Sequence, residues 1–535
     1  MKPKNIKIKD ISNRGGQLTE INPQNLPPLL PPYHTWTEKP VSELIADQKS
    51  RIEHSLDGYV GIGIPKPKST EEEEILVAKF LDGLRKLLSK ENNWTLLQPL
   101  LLTLENCVKC QTCAEACPVF ESSGYIEVYR PIYKTEVLRR IIGKYVKPGG
   151  KLFARLEGTD IDLNWETVAR LAELSYRCTL CRRCAQACPI GADNGLIARE
   201  LRKLFSQNMN IAAPELHELG TMKQLKVGSS TGMNPTALAD VIEFIEEEIQ
   251  TKTGLNIKIP IDKSGAEILF LHNAGEFLAW PENLQAFAII LEFAGINWTL
   301  SSDLVGYDSV NYGLWYDDFQ LARIAVKHAQ IAKKLGVKKI VVAECGHSHK
   351  ALLPIADRVL TGEFNVPRES CFPLLEDIVC TGKIKVDPEK NNFPVTLHDP
   401  CNFTRAMGII EPQRRILRKI APQFREMHPH GVNNYCCGGG SGFAIMQSLN
   451  FPDWRNRISG RKKFNQILEA FRDEIDPGIK KYVCAPCSNC KGHIRDLLAY
   501  YDAWEKAGIL YGGLVELIAN SMVELKSPFI EWEFH

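Results

Sequence analysis

With 535 residues, 65 basic against 64 acidic side chains and 44% hydrophobic content, the chain has material for several cores and no net charge drawing it to nucleic acid or bulk membrane. The outlying number is 17 cysteines, which means disulfides, metal sites or both. The start, MKPKNIKIKDISNRGG, carries basic residues with no apolar core behind them, so neither a Sec-type nor a twin-arginine signal is expected. Clustered cysteines away from an oxidising compartment read as ligands or catalysts. No run approaches the roughly 18–20 apolar residues of a membrane helix. The best stretch, Gln285–Ala294, contains Glu292 and reads as an amphipathic helix. A soluble, cytoplasmic protein is expected.

Residues 1–95 lack cysteine and read as a docking extension. A Pro-rich segment from Pro23 to Pro32 predicts extended chain, and after Glu71–Glu74 the run ILVAKFLDGLRKLL predicts a helix. Residues 96–205 hold the first eight cysteines, and residues 206–262 read as a helical connector. From residue 263 β-rich runs (EILFLHNAG, KKIVVAECG, PVTLHDPC, KKYVCAPC) alternate with helical ones such as ARIAVKHAQIAKKLG, predicting an α/β unit with parallel strands. Ile268–His272, a helix ending near Gly295 and Lys339–Lys350 recur as Val395–His398, a helix ending near Ala421 and Lys481–Lys491. This order predicts a duplicated α/β domain, residues 263–392 and 393–535. The fold class expected is therefore α+β and α/β multidomain.

Cys107-x2-Cys110-x2-Cys113-x3-Cys117-Pro118 and Cys178-x2-Cys181-x2-Cys184-x3-Cys188-Pro189 both match the bacterial ferredoxin run. Three thiolates on one tight loop reach three irons of a cubane, and the fourth ligates the other cluster. The expected ligand sets are Cys107, Cys110, Cys113 and Cys188 for one [4Fe–4S] cluster, and Cys178, Cys181, Cys184 and Cys117 for the other. Structural zinc does not call for the C-x3-C-P ending twice over. Arg182 and Arg183 inside the second loop are read as raising its cluster's potential, docking an acidic partner, or remaining ordinary solvated charges. Sixty residues separate Cys117 from Cys178, largely helical in pattern. The region resembles the helical ferredoxin domain of succinate dehydrogenase iron–sulfur subunits and of heterodisulfide reductase small subunits.

The remaining set is Cys401, then Cys436 and Cys437 in YCCGGGSG, then Cys484 and Cys487 in VCAPCSNC, all at strand ends or glycine-rich turns. That edge of an open α/β sheet is where ligands bind. Vicinal thiolates suit a multi-iron centre better than a strained ring disulfide. Gly438–Gly440 are expected to let backbone approach an inorganic core and donate N–H groups to it. A phosphate loop would need a following Gly-Lys-Ser/Thr, which is missing.

These residues resemble the cysteine-rich "CCG" domain of D-type heterodisulfide reductase subunits, with the ferredoxin domain fused in the same order. The resemblance implies a noncubane [4Fe–4S] cluster on Cys401, Cys436, Cys437, Cys484 and Cys487, with Cys490 as substitute or bystander. In the first repeat His272 stands where a first cysteine might be, no vicinal pair occurs, and a second such cluster is expected to be absent. Cys345, His347 and His349 are read as candidates to supply a thiol or proton there, and Cys371 and Cys380 as buried thiols. His398 and Asp399 are read as capping the loop before Cys401.

The leader, the single CCG motif and the length resemble DsrK-type subunits of DsrMKJOP-type sulfite-reductase-associated complexes. That likeness implies a membrane cytochrome b (DsrM-like) partner drawing on quinol, other complex subunits, peripheral attachment to the inner face of the cell membrane, and the trisulfide of the small carrier protein DsrC as substrate. Two other readings stand beside it: a coenzyme M–coenzyme B heterodisulfide reductase subunit, and a pure electron relay of a glycolate or glycerol-3-phosphate dehydrogenase.

Overall fold

A computed structural model describes residues 6–52, 55–227, 229–304, 315–358 and 360–534, so residues 1–5 of the basic start lie outside it. The chain divides into two compact units. The first comprises Met1–Leu216, Trp315–Asp317 and Gly438–Lys463, and the second His217–Leu314, Asp318–Cys437 and Phe464–His535.

The first unit is helical. Ser69 accepts from the Glu72 amide to start the helix Thr70–Leu87, whose first turn carries Glu71, Glu72 and Glu73 where the helix dipole favours anions. Asn164 and Asp193 cap Trp165–Tyr176 and Asn194–Met209 in the same way. Phe80 stacks on Phe205 at 5.7 Å, joining the first and last of these helices. Gly83 leaves room for the crossing, since a Cβ there would lie 3.0 Å from Asn208 and 3.1 Å from Leu204.

The leader is packed into this unit. Arg170 donates to the carbonyls of Ile11, Asn13 and Gly16. Arg461 donates to the Pro27 carbonyl and pairs with Glu38, and Arg457 donates to the Pro40 carbonyl. At its centre the buried Arg177 guanidinium lies between Asp57 (3.0 Å) and Glu173 (2.5 Å), 4.1 Å from the Trp454 ring centre.

The second unit holds two four-stranded parallel sheets. β1 (Ile268–Leu271), β2 (Trp298–Thr299), β3 (Lys339–Val342) and β4 (Arg368–Ser370) lie in the order β2-β1-β3-β4. β5 (Val395–Leu397), β6 (Phe424–Arg425), β7 (Lys481–Cys484) and β8 (Ile509–Gly512) lie in the order β6-β5-β7-β8. The repeated order demonstrates the duplication. Register fixes the equivalences: Leu271 pairs with Val342 as Leu397 pairs with Cys484. His272 is therefore the counterpart of His398, and Gly275 that of Cys401, which corrects the expectation that His272 occupies the first cysteine's place.

The helix Pro281–Phe293 packs against the helix Leu514–Ser521. It is buried continuously from Asn283 to Leu291 rather than along one stripe, so the amphipathic reading of Gln285–Ala294 holds only at its exposed Glu292 end. Cys371 is buried, but Cys380 is exposed at the end of the helix Cys371–Cys380, against the expectation of a buried thiol.

Buried charge and buried imidazole each set a measurable stability. Replacing Arg177 with Met leaves Asp57 and Glu173 without their cation, and anaerobic denaturant unfolding should show a loss of about 3–5 kcal/mol. Removing the exposed Lys333–Glu363 pair should cost less than ~1 kcal/mol. His272 lies among Phe270, Phe277 and Phe287, and burial pushes its pKa down to about 3. The unfolded chain takes up a proton below the ordinary value of 6.5 that the folded one refuses, so stability is present above 6.5 and lost as pH falls toward 3. His272→Leu should flatten that acid limb, read as unfolding midpoint against pH.

Candidate iron–sulfur sites

The two ferredoxin-type loops of the first unit share their left-handed positions and two backbone hydrogen bonds. Lys109 (φ 60°) and Gln111 (φ 67°) are left-handed, as are their counterparts Leu180 (φ 52°) and Arg182 (φ 60°). Such conformations cost non-glycine residues on the order of 1–3 kcal/mol each and persist only where something fixes them. Ala114 N–H donates to Gln111 O and Ala185 N–H to Arg182 O; Cys117 N–H then donates to Ala114 O and Cys188 N–H to Ala185 O. In each loop a single helical turn, Thr112–Glu115 or Arg183–Gln186, separates the first two cysteines from the fourth.

Cys117, Cys178, Cys181 and Cys184 line one cavity, so three thiols of the second loop meet the fourth of the first. Burial pushes Cys117 up to about 12, with Cys181 and Cys178 adding to the rise, and pushes Cys184 well up. Burial likewise raises Cys113 to about 11. Thiols in this state are neutral, and binding a metal displaces their protons.

Lys134 has no motif in the sequence, yet its positive charge acts against the rise at Cys113, Cys117 and Cys184 from a buried position. Arg182 pairs with Asp193 at 2.6 Å, and Arg183 donates to the Ala116 carbonyl at 2.6 Å, tying the second loop to the fourth-cysteine turn of the first. Both arginines are thus built into the loop pair rather than merely solvated.

The glycines after Cys437 pass close to protein backbone. A Cβ on Gly438 would lie 2.5 Å from Gly460 N, and one on Gly440 would lie 2.6 Å from the Thr179 carbonyl. The turn needs glycine because it meets protein backbone. Ser441 Oγ donates to the Cys178 carbonyl at 2.8 Å, and the buried Arg202 donates to the carbonyls of Ser441, Ser175 and Cys178.

In the second unit the site grows from the carboxyl ends of β3, β5 and β7. His398 follows β5 and Cys401 opens the helix Cys401–Met407; Cys484 ends β7 and Cys487 precedes the helix Ser488–Tyr500, which carries Cys490. Ligand atoms of His398, Cys437 and Cys490 lie within 4.8 Å of one another. Hydrogen bonds from Cys436, Cys490 and His398 hold the Cys437 thiol well below its ordinary value. Cys487 is lowered by Cys490 and by the Gly346 N–H, which donates to its sulfur at 3.3 Å.

Cys436, Cys437, Cys487 and Cys490 thus form one continuous sulfur chain, with His398 against it. Cys401 is half-buried at the helix start, and Cys484 is fully buried at the strand end, its pKa raised by burial and by the charges of Glu344, Glu516 and Asp399.

Cys345 is buried, and burial and the neighbouring Cys487 push its pKa up, with Asn273 Nδ2 donating to its sulfur at 3.2 Å. His347 feels Cys437 while burial lowers it to about 4, so it is neutral near pH 7. His349 is turned away, with its ring nitrogens on the Cys345 carbonyl and Ser370 Oγ at 2.9 Å each. Asp399 grips Arg414 through both oxygens and accepts from the Gly431 N–H, so it caps the loop leading to Cys436. His398 is the residue that sequence reading undervalued. Its place one step beyond a buried strand was the available signal.

The donor chemistry of both sites, thiols in strained turns and at strand ends, fits iron–sulfur clusters. A 4Fe-4S dicluster domain family matches residues 103–192, and a Cysteine-rich domain family, the CCG type, matches residues 395–495. The chain is an iron–sulfur protein of the oxidoreductase class.

It is 25% identical over 483 residues to the Hdr-like menaquinol oxidoreductase iron-sulfur subunit 2 of Archaeoglobus fulgidus, covering 83% of each chain. It is 24% identical over 550 residues to the Hdr-like menaquinol oxidoreductase iron-sulfur subunit of Archaeoglobus profundus, covering 92% of this chain and 93% of that one. The D-type subunit of the dihydromethanophenazine:CoB–CoM heterodisulfide reductase of Methanosarcina acetivorans shares 24% over 404 residues, 74% of this chain and 89% of its own. These matches make the chain similar to D-type heterodisulfide-reductase-like subunits, with the dicluster domain followed by the CCG domain.

Crossed ligation gives a sharp test. In anaerobically prepared protein, Cys117→Ser should disturb the cluster spectrum that Cys181→Ser disturbs, and Cys188→Ser the one that Cys110→Ser disturbs. The opposite pairing in electron paramagnetic resonance would show that each loop keeps its own fourth cysteine.

Proposed function

We propose that this chain is the catalytic iron–sulfur subunit of a membrane-associated complex that reduces a disulfide or trisulfide. Electrons come from a quinol through a membrane cytochrome b partner. Two cubane [4Fe–4S] clusters sit on the crossed ligand sets, and a noncubane [4Fe–4S] cluster on Cys401, Cys436, Cys437, Cys484 and Cys487, with Cys490 in reach of Cys437 and Cys487. The relatives' names support the electron source and the sulfur chemistry: menaquinol in two, a heterodisulfide in the third. Among the described residues no helix is long and apolar enough to cross a membrane, which fits attachment through partners.

The observation that carries this reading is the chain of buried thiols at Cys436, Cys437, Cys490 and Cys487, flanked by two imidazoles and a further thiol. Reducing one S–S bond takes two protons and two electrons, the latter supplied singly by bound clusters. A disulfide yields two thiols; a carrier trisulfide yields a thiol and a persulfide, and a second such round releases the bridging sulfur as sulfide. The protein's part is to hold one sulfur among depressed thiols, offer backbone N–H groups such as that of Gly346, and keep His347 neutral beside the reacting sulfurs. Cys345 adds a thiol that can meet a protein-borne sulfur. A carrier of the DsrC kind, with two C-terminal cysteines and a bridging sulfur, is the substrate this arrangement suits.

Cys436→Ser should remove a thiol-responsive paramagnetic signal from the oxidised holoprotein while leaving both cubane signals intact, and should abolish reduction of the carrier trisulfide. A wild type with no thiol-responsive signal, turning over only through a flavin partner, would make the chain a relay. Capture of a small protein with a C-terminal cysteine pair identifies the substrate; a requirement for the coenzyme M–coenzyme B heterodisulfide would replace it.

A further inference from the structure

We propose that Glu344 and Glu516 form a proton-holding carboxyl pair that connects a solvent cavity of the second unit to its sulfur site, rather than serving only to support the fold. This rests on the redox reading of that site.

Glu516 lines a cavity of about 340 Å³ together with Trp280, Glu282, Arg495 and Tyr511. Inward of the cavity, Asn283 Nδ2 donates to both carboxyls, at 3.1 Å to Glu516 Oε1 and 3.2 Å to Glu344 Oε2. Glu344 Oε1 accepts the Leu514 and Val515 amides at 3.1 and 3.2 Å. The remaining oxygens converge over Gly513, where a Cβ would collide with both Glu344 Oε2 and Glu516 Oε2. Only glycine lets both carboxyls close on this point. Glu516 Oε2 is buried and takes no hydrogen bond among the described residues.

Charge counting makes the pair a proton holder. Lys491 is the buried cation here, 3.1 Å from Glu276 and 3.3 Å from Glu516. Three buried carboxyls face that single ammonium, and in a low-dielectric interior they cannot all ionise. Burial and the neighbouring carboxylates push Glu344 well up, and burial pushes Glu276 to about 7 and raises Glu282. Tyr482, Cys371 and Cys484 are the other titratable groups that feel this cluster.

At its inner end the pair meets the sulfur site through the backbone. The Glu344 carbonyl accepts the Ser488 N–H at 3.0 Å, directly after Cys487. Asn273 Nδ2 bridges Ser488 Oγ (3.0 Å) and Cys345 Sγ (3.2 Å), and Gly346 N–H reaches Cys487 Sγ. The strap 344–346 therefore carries a carboxyl on one side and contacts the reacting thiols on the other. An electron arriving at the sulfur site adds negative charge beside this pair, which already acts on Cys484, and the pair takes up a proton from the cavity side in compensation.

The test is the midpoint potential of the C-terminal centre against pH in anaerobic holoprotein. In the wild type the potential should fall by ~59 mV for each tenfold fall in proton concentration. Glu344→Gln and Glu516→Gln keep shape and hydrogen-bonding capacity, and each should flatten that slope while both cubane signals and iron content stay as they were. Should one amide variant fail to fold, the other carries the test, since either removes the shared proton. A slope unchanged in the variants, or flat in the wild type, overturns the coupling of this pair to the centre. A wild type without any C-terminal redox signal overturns the redox reading of the site, and the coupling with it.

Discussion

Burying an anionic sulfur costs free energy unless a cation or hydrogen-bond donors accompany it, and that constraint organises both units. Cys117 and Cys184 are raised by burial, and Lys134 is the buried charge that offsets it. The left-handed residues Lys109, Gln111, Leu180 and Arg182 are the conformational cost of turning a short loop around its thiols. In the second unit most of the compensation comes from hydrogen bonds. Neighbouring thiols, the His398 ring and the Gly346 N–H hold Cys437 and Cys487 low.

The duplication explains how one half can serve the other. Register places Val342, Cys345 and Ser348 where the second half has Cys484, Cys487 and Cys490, and Gly275 where it has Cys401. The first half has lost most of the thiols but keeps the strand ends, and fills them with Asn273, Glu344, Cys345 and His347. Those residues touch the sulfur chain or its immediate backbone. What reads in sequence as a degenerate repeat is a polar lining for the other half.

Much of this was legible from the residues because it is local. The ferredoxin runs, the β-rich segments around β1, β3, β5 and β7, and the helices after them all announce themselves within a dozen positions. The outer strands β2, β4, β6 and β8 do not; β2 and β6 have two residues each, and edge strands depend on a neighbour for definition. The His272 equivalence failed for the same reason: a single histidine after a strand fixes no alignment, whereas paired register does. The glycines of 438–440 were read as serving an inorganic core, but their close approaches are to Gly460 and Thr179, partners distant in sequence. Lys134 and the carboxyl pair at Gly513 are equally long-range, and no spacing rule points to them.

Iron anomalous scattering from anaerobically grown crystals tests the central claim most directly. Iron at three places is expected: one for each crossed set of ferredoxin cysteines, and one within the thiols from Cys436 to Cys487. Zinc at any of them, or iron at the two ferredoxin loops with none beside Cys437, would contradict it.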